Sequence, residues 1–136
     1  MIGIVTFAFQ NELINPKIFL KALIASGISF LFGIGLEVTE LFNLQRGLTL
    51  LYMSVSLIYL FYFKLFLVLF IKWKGTYPII TSSSSATGGK PIEGFWVKYP
   101  RDRKITSADF IFSFAQSLVP IFTIMGLAIL IFELNR

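Results

Sequence analysis

Residues 72–104, KWKGTYPIITSSSSATGGKPIEGFWVKYPRDRK, form a basic polar segment between two long apolar runs, LTLLYMSVSLIYLFYFKLFLVLFI (48–71) and FIFSFAQSLVPIFTIMGLAILIF (110–132). At 1.5 Å of rise per residue, each run is long enough as a helix to cross the roughly 30 Å hydrocarbon core of a bilayer. The segment holds seven of the twelve Lys and Arg residues and two acids, Glu93 and Asp102, so its net charge of +5 equals that of the whole chain. Short loops rich in Lys and Arg mark the cytoplasmic side of a membrane, and this one predicts the orientation of everything attached to it.

Composition agrees with the membrane reading. Of 136 residues, 56% are hydrophobic and 14% charged, and the mean hydropathy is +0.80, values outside the range of soluble globular domains. The chain has no cysteine and no histidine. Their absence removes thiol nucleophiles, disulfides, thiolate metal sites and iron–sulfur clusters, together with the commonest general base and haem ligand. No two carboxylates share a membrane face at a spacing suited to acid/base chemistry. Gly33-Ile34-Gly35 lacks the third glycine of a dinucleotide fingerprint. Gly89-Lys90 is followed by Pro91, where a phosphate-binding loop needs Ser or Thr. The sequence therefore predicts no catalysis, no cofactor and no metal.

Outward from the basic segment, the chain reads as a single membrane domain over 1–136. Residues 1–16 begin apolar without the positive charge of a secretory signal, and read as an uncleaved interfacial stretch. Asn15-Pro16 marks a helix start. Helix 1 follows over about 16–36, with Lys17 and Lys21 near the basic side. Ala22, Ser26, Ser29 and Gly33 fall at i, i+4, i+7 and i+11. Such a stripe of small residues lets another backbone approach closely, and it predicts a helix-packing face.

The connection 37–47 is poor in positive charge, as suits the opposite side, and its shortness makes helices 1 and 2 antiparallel neighbours. Helix 2, over 48–71, is apolar all round, with Tyr52, Ser56 and Tyr59 on one face. Lys64 stands out, lying about 12 Å inside the boundary when counted back from Lys72. A central lysine costs on the order of 2.5–3.5 kcal/mol on insertion scales, so either snorkelling to the headgroups or a partner is expected.

In the central loop, Trp73, Tyr77, Phe95, Trp96 and Tyr99 suit an aromatic belt. The Ser/Gly tract 82–89 predicts partial flexibility, and strand-like stretches on either side allow a short β-hairpin. Lys98, Arg101, Arg103 and Lys104 make a cationic cluster suited to anionic lipid or an acidic partner. No nucleic-acid-binding motif accompanies the charge.

Helix 3, over about 108–132, opens with Thr106 as N-cap and Asp109 in its first turn. Asp109, Ser113, Gln116, Pro120 and Thr123 then repeat as one polar stripe. Pro120 removes one helical donor, and Ser113 or Ser117 is expected to satisfy the freed carbonyl. Gln116 lies at the depth of Lys64, which makes those two side chains a candidate contact.

The fold class is thus an all-α integral membrane protein of three transmembrane helices. Its N-terminus and central loop are expected on the cytoplasmic, matrix or stromal side and its C-terminus opposite. Membrane lipids and other membrane subunits are the expected partners. The function that suits this pattern is a small noncatalytic subunit that stabilises or docks components of a larger energy-transducing or secretion complex. Alternatives are a homo-oligomeric pore or transport component, with the helix 3 stripe and Lys64 facing water, and a membrane-embedded regulator or immunity-type protein.

Overall fold

A computed structural model of the chain describes residues 12–39, 46–79 and 105–136. A 3-10 turn, Glu12–Ile14, leads into three helices: α1 (Pro16–Val38), α2 (Leu48–Lys74) and α3 (Ser107–Leu134). All three are long and apolar enough to cross a membrane, with mean hydropathies of 1.9, 2.2 and 2.2 over their most apolar windows. They run up, down and up. The start of α1, the end of α2 and the start of α3 therefore share one end, called here the basic end. The cationic cluster of Lys98, Arg101, Arg103 and Lys104, the Ser/Gly tract and most of the proposed hairpin lie outside the described residues.

Local chemistry accounts for the helix boundaries. Asn15 is the N-cap of α1 and its side chain accepts a bond from the Lys17 amide at 2.9 Å, with Pro16 at the first helical position. The three helices extend two or three residues past several of the ends expected from hydropathy. That scale marks where the apolar run stops, whereas Thr39, Gly75 and Asn135 mark where the helical backbone stops. Gly47 and Gly75 flank α2 in the left-handed conformation, at φ +88° and +70°, a geometry in which a Cβ would be strained.

α2 is the shared partner of the other two helices, and it carries most of the buried side chains. The main core gathers toward the basic end, where Tyr59, Leu60, Phe63, Leu67 and Phe70 of α2 meet Ala108 and Phe112 of α3. Phe112 sits edge-on to Phe70 at 5.5 Å and to Phe63 at 6.3 Å, the geometry that aromatic quadrupoles favour. Leu13 and Ile14 also enter this core. Elsewhere α1 and α3 are largely bare: 11% and 6% of their apolar windows are buried, against 33% for α2.

Candidate functional site

The small-residue face of α1 is turned onto α2. Ala22 packs against the core cluster, Ser26 and Gly33 are buried, and the Ser29 hydroxyl donates to Met53 Sδ at 3.5 Å. Contact is closest at Gly33, where a Cβ would stand 2.7 Å from Met53 Cβ. Only a residue without a side chain allows that approach. Ser26 Oγ is fully buried and has no hydrogen-bond partner among the described residues. At the far end, the Gly47 amide donates to a Glu37 carboxylate oxygen, which places negative charge at the positive end of α2.

The polar stripe of α3 also faces its own chain. Asp109 and Gln116 are fully buried, and Pro120 is buried within an unbroken helix. Asp109 ties the basic end together. Its Oδ1 accepts from the Ile79 amide at 2.8 Å, and its Oδ2 accepts from the Thr106 amide at 2.9 Å and the Thr106 hydroxyl at 2.7 Å. A carboxylate at this position both caps α3 and holds the chain that leaves α2. Farther along, the hydroxyls of Thr123 and Tyr62 share a hydrogen bond of 3.0 Å. At the far end, Asn135 donates to the Arg46 carbonyl at 3.0 Å. The Ser113 hydroxyl donates to the Asp109 carbonyl and that of Ser117 to the Ser113 carbonyl. Each of these serines reaches back one turn along its own helix.

Lys64 makes no bond to Gln116. It lies exposed on α2, with its ammonium 5.2 Å from the centre of the Phe19 ring on α1. Phe19 is the fourth residue of α1, so Lys64 is level with that helix's first turn, while α2 continues ten more residues to Lys74, about 15 Å by helical rise. The offset between α1 and α2 brings Lys64 to a helix end.

The sequence reading did not anticipate Phe19, Met53, Tyr62, Leu13 or Ile14 as partners. All but Tyr62 are ordinary apolar residues whose pairing depends on helix offset, and the Tyr62 hydroxyl stands off the face that Ser56 and Tyr59 share. Of the latter group, Ser56 and Tyr59 are buried and Tyr52 is exposed. Among the described residues, no group of three acidic, His or Cys side chains could hold a metal. No known family model matches the chain, and no curated protein or solved structure matches it either.

Proposed function

We propose that the chain is a small noncatalytic integral-membrane subunit that stabilises or docks larger components of a membrane complex of the energy-transducing or secretion type. What supports this reading is the flank of α3 left uncovered by α2. There Phe110, Phe114, Leu118 and Phe122, with the small Ala115 among them, line an open, apolar groove of about 510 Å³. A small residue between large ones lets another helix seat closely. Three polar side chains of the α3 stripe that a pore would turn to water are engaged inside the chain: Asp109 and Gln116 are buried, and Thr123 bonds Tyr62. The excess of Lys and Arg in 72–104 favours a cytoplasmic, matrix or stromal basic end, with the C-terminus opposite.

The test is purification from native membranes in mild detergent, for the natural chain and for Ala115→Trp, which fills the groove. Copurification of larger, different chains that Ala115→Trp releases is the expected result. A closed ring of this chain alone points to the pore, an isolated monomer points to a regulator, and either result overturns the subunit reading. Tags near Ser84 and at the C-terminus should report on opposite sides of the membrane. A report from the same side refutes the orientation.

A further inference from the structure

Three exposed lysines stand at nearly one depth: Lys17 and Lys21 on α1, and Lys64 on α2, level with Phe19 between them in sequence. Lys72 and Lys74 add two more charges on the last turn of α2. Little opposes them. Among the described side chains the acids are Glu37 and Glu133, both at the far end, and Asp109, which is fully buried and already accepts three bonds. Glu12 is the one further acid in the sequence near this end outside the loop. The Phe19 ring steadies the Lys64 ammonium without accepting its hydrogen bonds in the way an oxygen does, so its N–H donors remain available for an anion.

The surroundings say what kind of anion. Lys17, Lys21, Ile24 and Ile28 fall at i, i+4, i+7 and i+11, one face of α1, and the two isoleucines are exposed at 55% and 63%. On α2, Lys64 is followed one turn toward the far end by Phe61, exposed at 66%. On both helices a charged patch thus continues into bare apolar surface in the direction of the bilayer centre. A soluble anion matches only the first part. A molecule with an anionic head and acyl chains matches both.

We propose that the lysines at the basic ends of α1 and α2 bind anionic phospholipid, with headgroup phosphates at Lys17, Lys21 and Lys64 and acyl chains along Ile24, Ile28 and Phe61. Because α1 starts inward of the end of α2, with Phe19 of its first turn beside Lys64, headgroups beside it sit at the level of these three lysines. The lipid belt holds whether or not the chain works within a larger assembly.

The test reconstitutes the full chain in bilayers of phosphatidylcholine with a minority of phosphatidylglycerol. The protein is extracted with its surrounding lipid in polymer-bounded discs, and the phosphatidylglycerol ratio is measured against the bulk bilayer. Enrichment is expected for the natural chain. Each lysine removed should lower the selectivity by about five-fold, the factor that corresponds to about 1 kcal/mol per basic residue. Lys17→Met, Lys21→Met and Lys64→Met together should lower it further than any one of them alone. A variant with glutamine at 98, 101, 103 and 104 should keep the enrichment's dependence on these three lysines. Undiminished enrichment in the triple variant, loss only in the loop variant, or none in the natural chain overturns the proposal. Helicity by circular dichroism checks each variant. Should the triple variant lose helicity, Lys64→Met alone must show the five-fold loss.

Discussion

Replacing Gly33 by alanine tests the closest helix contact in the molecule. The added Cβ would lie 2.7 Å from Met53 Cβ and 3.0 Å from Met53 Cγ, where carbon atoms prefer about 3.5–4.0 Å. Met53 Cβ is anchored to the backbone, so relief requires α1 and α2 to separate by up to about 1 Å. That separation would loosen the Ser29–Met53 contact and the packing at Ser26. Overpacking of this kind costs about 1–3 kcal/mol. Alanine also gains about 0.8–1 kcal/mol of helix propensity over glycine, which would blur the result if Gly33→Ala were compared only with the natural chain. Gly27 and Gly35 supply the control, because a Cβ at either meets nothing within 4 Å. With the propensity gain common to all three, Gly33→Ala should be less stable than Gly27→Ala and Gly35→Ala by about 1–3 kcal/mol, or about 5- to 150-fold in the folded-to-unfolded ratio. Reversible unfolding in mixed micelles of increasing denaturing-detergent fraction, followed by circular dichroism, measures the difference. In a Met53→Gly background the penalty should vanish. Equal stability of the three alanine variants, or an unchanged penalty in that background, refutes the close-contact account.

Three further outcomes follow from the same geometry. Ser26→Ala removes a buried hydroxyl without a described partner while keeping the side chain small, so it should raise stability by about 1 kcal/mol in the micelle assay; a loss of stability would show that the hydroxyl has a bonded role. Asp109→Ala strips the acceptor from the Ile79 amide, the Thr106 amide and the Thr106 hydroxyl. An unfolding penalty of about 3 kcal/mol or more is expected, with faster hydrogen exchange at the amides of 79 and 106, and unchanged exchange at both would count against the clamp. Lys64→Met and Gln116→Leu should show no coupling in a double-mutant cycle, while Lys64→Met and Phe19→Leu should couple by about 0.5–1 kcal/mol. The reverse pattern would mean that Lys64 turns toward α3.

Much of the candidate site was legible because helix periodicity carries it. The spacing of Ala22, Ser26, Ser29 and Gly33 defines a single face whatever it meets, and so does the spacing from Asp109 to Thr123. Their partners were not legible. The apolar residues of α2 surround that helix almost evenly, so no stripe in its sequence says which side receives α1 and which receives α3. Lys64 illustrates the difficulty. Its depth, counted along α2, suggested Gln116 at the same level, but equal depth leaves rotation open, and in the structure its ammonium is turned to Phe19 on the opposite neighbour.

Length and hydropathy of individual segments, properties of each stretch alone, determined three apolar helices and their order, and capping chemistry marked starts at Asn15-Pro16 and at Thr106 with Asp109. Tertiary structure alone decided that α2 is the shared partner, that Gly33 meets Met53, that Asp109 reaches the Ile79 amide, and that Leu13 and Ile14 enter the core. Each of those depends on how far one helix slides and turns against another. Transfer into an apolar medium is nearly indifferent to that offset, so it emerges only from close packing and the few directed hydrogen bonds between segments.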